Sequence, residues 1–176
     1  RYSLEQITSI DLPGYAIGGL SVGEPKDEMF AMLEEIVHFM PVHKPRYLMG
    51  VGKPTDIVGA VSFGVDMFDC VLPTRNARTS SVYTWRGKMS LKASYYAEDA
   101  LPIDENCKCY VCQNHSRAYI RHLFSVDELL GAYLTSHHAI YFYLDLLREI
   151  RRAIIDNRYY EFMQDFARTF SEEVIH

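Results

Sequence analysis

The sequence predicts an α/β chain: a parallel sheet with crossover helices over the first seventy residues, then a hairpin and a helical, metal-stapled segment. Three observations carry this. Short apolar runs ending near glycine alternate with helical periodicity up to Pro73. Ser81 to Ala93 reads as two strands about a turn. Three of the four cysteines, Cys107, Cys109 and Cys112, fall within six residues just ahead of a helical stretch.

Arg1 to Leu12 reads as a helix already under way, so the sequence is expected to begin inside a longer protein. Tyr15 to Leu20 is a short apolar run ending in glycines, which predicts a buried strand. Glu24 to Glu28 follows, with a proline suited to a first helical turn and carboxylates suited to the positive end of a helix dipole. Met29, Met32, Leu33, Ile36, Val37 and Met40 then recur at helical spacing. Tyr47 to Gly52 predicts a second strand, Pro54 to Phe63 a second helix with Ile57, Val58 and Val61 on one face, and Met67 to Leu72 a third strand. Strand, helix, strand, helix, strand implies parallel pairing with right-handed crossovers, as in a (β/α) barrel or a doubly wound sheet. Three strands cannot close a barrel of eight, so in a barrel most of the closure lies outside this sequence.

Ser81 to Trp85 and Met89 to Ala93 flank Arg86-Gly87-Lys88, a hairpin pattern. A polar, acidic stretch from Glu98 to Asn106 leads into the cysteines. Helices are expected over Arg117 to Phe124, over Val126 to about Asp156 with a break near Gly131 or the paired histidines, and over Tyr159 to Phe170. The chain divides functionally into residues 1–78, the sheet segment, and 79–176, the hairpin and helical subdomain.

Apolar residues at 48% and charged residues at 23% describe a globular chain with a real core, and exclude a disordered tail, a collagen-like repeat and a coiled coil. No apolar run reaches the ~18 residues of a spanning helix, so no membrane partner is expected. The net charge of −5 means that any nucleic acid must be held by a local patch. Clustered cysteines suit metal binding in a reducing compartment rather than a disulfide scaffold, so a cytoplasmic protein is expected.

Cys107-x-Cys109-x-x-Cys112 offers three thiolates, and one imidazole completes a tetrahedral zinc set with no open position for catalysis. On spacing alone His115, His122, His137 and His138 all qualify. Asp69 ends an apolar strand, where an unpaired charge is costly. At the C-terminal end of a barrel strand such a carboxylate acts as base, metal ligand or covalent nucleophile; otherwise it pairs with Arg75 or caps backbone amides. Cys70 falls on the opposite face of the strand and is read as a small buried apolar group. Between Asp69 and Glu98 stand Arg75, Arg78, Arg86, Lys88 and Lys92 with no acidic residue, interleaved with Tyr83, Trp85, Tyr95 and Tyr96. That is either a phosphate-binding surface or a solvated hairpin. Gly18-Gly19 and Gly50-Val51-Gly52 let a flat ligand approach the backbone.

Gly18-Gly19-Leu20-Ser21-Val22-Gly23-Glu24, Pro45 to Pro54 and Gly64 to Arg78, together with the cysteine cluster and a histidine 26 positions after its third cysteine, resemble the bacterial tRNA-guanine transglycosylases. The resemblance covers nearly the whole chain. It implies the C-terminal part of a (β/α)8 TIM barrel, the last three strands, with a zinc-binding α+β subdomain. It also implies exchange of guanine at the wobble position of a guanine-uridine-N anticodon for 7-aminomethyl-7-deazaguanine. Asp69 matches the nucleophile, which attacks C1′ of the ribose as in retaining glycosidases. Gly19 and Leu20 match backbone that recognises the base, the Leu20 carbonyl being aimed at its aminomethyl ammonium; Glu24 orients that peptide. Met49 packs on the base face, and Val22, where relatives that take the bulkier queuine have glycine, argues for the smaller base. Lys53, Arg75 and Arg78 match positions that hold the RNA, and Cys107, Cys109, Cys112 and His138 hold zinc.

The general acid/base aspartate and the residues that read the purine edge belong to the family's N-terminal half, which this sequence lacks. The chain alone is therefore expected to be inactive, with that half and a homodimer partner as its protein partners. Two other readings are a non-catalytic tRNA-binding subunit of the same fold and a zinc-stapled interaction module.

Overall fold

A computed structural model describes residues 2–175, and Arg1 lies outside the described residues. Contacts divide the chain into two compact units, the first ending at Val71 and the second starting at Leu72.

The first unit holds helix α1 (Tyr2–Thr8), β1 (Tyr15–Ile17), α2 (Lys26–Val37), β2 (Arg46–Leu48), α3 (Pro54–Ser62) and β3 (Met67–Phe68). The strands form a parallel sheet in the order β1-β2-β3. Register decides which residues share a face. Ile17 lies beside Leu48 and Leu48 beside Phe68, and this row packs on the helices around the fully buried Leu33 and Leu48. Each such leucine contributes about 1.5–3 kcal/mol by leaving water. Ala16, Tyr47 and Met67 form the neighbouring row on the other face, where Ala16 and Met67 are exposed and Tyr47 is half-buried. The third strand is shorter than the apolar run suggests. Leu72-Pro73-Thr74 opens a helix instead, α4 (Leu72–Arg78). Proline costs nothing in a first turn, whose N–H groups have no helical partner.

The second unit holds α4, the hairpin β4 (Ser81–Thr84) and β5 (Gly87–Ser90), α5 (Tyr110–Asn114), α6 (Arg117–Ser125), α7 (Leu129–Ile155), α8 (Tyr159–Thr169) and β6 (Ser171–Val174). Although the sequence reading groups α4 with the sheet, its buried Ala77 belongs to the core of this unit, beside Val82, Leu134 and Ala139. Helix α7 runs unbroken through Gly131 and both histidines. A Cβ at Gly131 would stand 3.1 Å from Leu123 Cβ, so that glycine serves the close approach of α6 rather than a break. The buried Asp104 carboxylate accepts the amides of Trp85 (2.7 Å) and Asn106 (2.9 Å), pinning the hairpin turn to the segment that enters the cysteines. Strand β6 adds to β5 in parallel, a pairing with no local sequence signal.

Gly87 opens β5 with φ +134°, and a Cβ there would lie 2.2 Å from the Ser171 carbonyl oxygen. Backbone is on the other side, so no side chain can yield. Gly87→Ala is predicted to cost about 2 kcal/mol or more. Urea denaturation checks this; an unchanged midpoint contradicts the β5–β6 packing.

Candidate active site and metal centre

The C-terminal ends of the three parallel strands gather the chemistry of the first unit. Asp69 follows β3 directly. It lies two positions beyond Met67, in phase with Tyr47's row, and its side chain is exposed. The Tyr47 hydroxyl donates to Asp69 Oδ1 at 2.6 Å, and the Gly50 N–H donates to the same oxygen at 2.9 Å. Gly50 sits at φ +76°, a conformation glycine adopts without strain, and it turns that amide toward the carboxylate. These hydrogen bonds, Tyr47's first and Gly50's next, hold the Asp69 carboxyl below the ordinary aspartate value, and the same bond raises the Tyr47 phenol. Asp69 is thus an anion fixed by donors from the neighbouring strand and the turn after it. Cys70, of opposite parity, is half-buried.

The loop after β1 contributes a second fixed feature. The Glu24 carboxylate accepts the Ser21 amide through Oε1 and the Val22 amide through Oε2, the latter at 2.9 Å. Ser21 stands at φ +60° and Gly23 at φ +129° to make this tight turn. Glu24's own amide and those of the turn hold its carboxyl below the usual range. The Ser21 N–H and the Leu20 carbonyl belong to one trans peptide, so anchoring the first directs the second away from Glu24. Met49 is exposed beside Gly18, its sulfur 3.6 Å from where a Gly18 Cβ would sit. Gly19, Val22 and Lys53 are exposed, and Lys53 supplies the backbone cap of α3. Sequence reasoning missed Tyr47. A tyrosine inside a short strand carries no local signal; only the register with β3 brings it to the carboxylate.

In the second unit Arg75 and Arg78 are exposed on the last turn of α4, and Lys92 lies over the Phe124 ring.

The cysteine cluster closes on His138. Its Nδ1 lies 3.6 Å from Cys107 Sγ, 3.7 Å from Cys109 Sγ and 3.4 Å from Cys112 Sγ, and the four donor atoms lie within 4.8 Å of one another. Tetrahedral zinc with sulfur at ~2.3 Å and nitrogen at ~2.0 Å requires a sulfur–nitrogen edge of about 3.5 Å, so the cage has the size of that ion. His138 is fully buried, and its Nε2–H donates to the Tyr83 carbonyl at 3.1 Å. That bond puts the proton on Nε2 and turns the free Nδ1 lone pair toward the sulfurs. Hydrogen bonds from Cys107 and Cys112 hold the Cys109 thiol far below the usual range. The cage joins residues 107–112, which run into α5, to the hairpin strand β4 through α7. The other three histidines serve elsewhere: His115 stacks on Tyr119, while His122 and His137 are exposed.

A family profile described as Queuine tRNA-ribosyltransferase matches residues 1–172. The chain is 51% identical over 170 residues to the queuine tRNA-ribosyltransferase of Caldanaerobacter subterraneus subsp. tengcongensis, covering 97% of this chain and 45% of that protein. It is 52% identical over 171 residues to the enzyme of Dichelobacter nodosus, with the same coverage. Against that of Desulforamulus reducens it is 50% identical over 169 residues, covering 96% and 46%. The chain therefore spans somewhat under half the length of the curated relatives it matches. With this profile and these identities, the chain belongs to the queuine tRNA-ribosyltransferase family.

Proposed function

We propose that this chain supplies the nucleophile, a base-contacting loop and a zinc-stapled RNA-binding portion of a tRNA-guanine transglycosylase. In this reading its parallel sheet is the last three strands of a (β/α)8 barrel completed by chain outside this sequence. The face carrying Tyr47 and Asp69 lines the barrel mouth, where barrel enzymes keep their chemistry. The observation that carries the proposal is the exposed, doubly hydrogen-bonded Asp69 carboxylate at a strand end. A carboxylate held anionic by directed donors at the C-terminal end of a parallel strand is placed for chemistry.

The reaction has two halves. The Asp69 carboxylate attacks C1′ of the wobble ribose through an oxocarbenium-like transition state, and guanine departs with the electron pair of the C1′–N9 bond and a proton from an acid outside this chain. The 7-deazaguanine N9, relieved of its proton, then attacks the same carbon, and the bonding pair returns to the carboxylate. A carboxylate suits both halves because it is nucleophile in one and leaving group in the other. The Leu20 carbonyl, aimed by Glu24 through the shared peptide, accepts from the aminomethyl ammonium. Gly19 allows the approach, Met49 covers the base face, and the branched Val22 limits room for a larger base. Lys53, Arg75 and Arg78 hold RNA phosphates beside a guanine-uridine-N anticodon. Zinc on Cys107, Cys109, Cys112 and His138 would be structural and would tie residues 107–112 to α7. The setting proposed for the complete enzyme is a cytoplasmic homodimer.

In the complete enzyme, Asp69→Asn is predicted to lower incorporation of labelled guanine into tRNA at least about 10³-fold. Undiminished incorporation would reject the assigned role. The wild type is predicted to hold one zinc ion per chain, and His138→Ala less than about a tenth of that, with loss of cooperative melting of the second unit. Elemental analysis beside calorimetry reads both. Full metal content in the variant would contradict the ligand set.

A further inference from the structure

Two donors from β2 and the turn after it reach the same oxygen of Asp69. Oδ1 accepts from the Tyr47 hydroxyl and from the Gly50 amide. Both of these bonds fall on one oxygen, Oδ1, and the side chain is exposed. The two oxygens are therefore chemically distinct before any substrate arrives. We propose that Oδ2 is the oxygen that bonds the ribose, and that Tyr47 is a positioning residue that sets the balance between free carboxylate and covalent RNA ester. This inference rests on the reading of Asp69 as the covalent nucleophile.

The argument follows the charge. In the free enzyme a full negative charge is shared over Oδ1 and Oδ2, and two donors stabilise it. When Oδ2 bonds C1′ and the C1′–N9 pair leaves on guanine, the carboxylate becomes a neutral ester whose Oδ1 is now an acyl oxygen. That oxygen remains an acceptor, but a weaker one, because hydrogen bonds to an anion are roughly twice as strong as those between neutral groups. The donors therefore favour the carboxylate over the ester. They restrain the attack and assist the departure, in which the C1′–Oδ2 pair returns to the carboxyl group as the incoming base bonds C1′. A base exchange that must run both ways needs an intermediate that does not become a sink, and a phenol on the spectator oxygen prevents that.

The lowered acidity of Asp69 agrees, with Tyr47 as its first cause. The sign is definite. A carboxyl held below its ordinary value is anionic at all pH above that depressed value, and the hydrogen-bond gain is lost as pH falls through it. Without the phenol the carboxyl rises toward the ordinary value near 4, so the acid limb of the reaction moves to higher pH.

The test uses the complete enzyme, a tRNA anticodon stem-loop and a fixed concentration of guanine, quenched in denaturant and resolved on a gel that separates free enzyme from covalent RNA adduct. With Tyr47→Phe the adduct-to-free ratio is predicted to rise roughly tenfold, as expected for losing one hydrogen bond to a charged group. Release of the adduct by the incoming 7-deazaguanine is predicted to slow by a similar factor, and the acid limb to move up. A ratio that is unchanged or lowered in Tyr47→Phe, with native melting and zinc content, overturns the inference. That outcome leaves the nucleophile assignment standing provided the wild-type adduct vanishes in Asp69→Asn; an adduct that persists in Asp69→Asn removes that assignment instead. Should Tyr47→Phe not fold, 3-fluorotyrosine at position 47 keeps the shape and strengthens the donor. The ratio must then fall, and no change overturns the proposal.

Discussion

An exposed carboxylate bridged to the neighbouring strand is the interaction on which the rest of the functional account depends. Asp69 lies just past β3, and the Tyr47 hydroxyl and the Gly50 amide, which donate to it, belong to β2 and the turn after it. The bridge exists only if β2 and β3 are parallel, in the observed register, and followed by a turn that glycine allows. A slip of one residue would carry Tyr47 to the helix-packed face. The sheet's own packing, with Leu48 fully buried against the helices, therefore fixes the reactive group as well as the fold. Strand ends are a suitable place for such a group. The backbone there leaves the ladder, its amides turn free, and side chains from separate strands converge without burial of the charge.

The Cys3His cage performs the corresponding task in the second unit. That unit combines a short hairpin, a small added strand and a long helix, and these elements share few regular backbone hydrogen bonds. The cage ties residues 107–112 to α7, and the second nitrogen of His138 ties α7 to Tyr83 on β4. Asp104 anchors the hairpin turn a few residues before the first cysteine. The Cys3His cage, its outer hydrogen bond and the carboxylate anchor thus form one continuous brace. Arg75 and Arg78 stand on α4, whose Ala77 is buried in the same core, so the brace also steadies the helix that presents them.

Much of this was legible in the sequence, for identifiable reasons. The alternation of apolar runs with helical periodicity gave the order of elements, because burial imposes different periods on strands and helices. Period-two parity put Asp69 on the open face, while Cys70, read as buried, is half-buried. Cysteine spacing announced a cluster able to hold a metal ion. The misses were matters of tertiary context. The run from Met67 to Leu72 looks like one strand, since a short apolar stretch cannot reveal where a ladder stops and a proline-initiated turn begins. Tyr47 is 22 residues from its partner, and only pairing register joins them. Spacing left four histidines open, and the choice of His138 depends on the phase of a 27-residue helix running unbroken past Gly131. Strand β6 is polar and mostly exposed, so no hydrophobic pattern marks it.

The central claim is that one aspartate oxygen becomes bonded to RNA. Mass spectrometry of peptides from the acid-quenched reaction of the complete enzyme with a stem-loop RNA tests it directly. The account predicts an ester between the side chain of Asp69 and the ribose at the wobble position, with guanine absent from that nucleotide. Attachment at any other residue, or base exchange that proceeds with no linked peptide under conditions that preserve acyl esters, would contradict it.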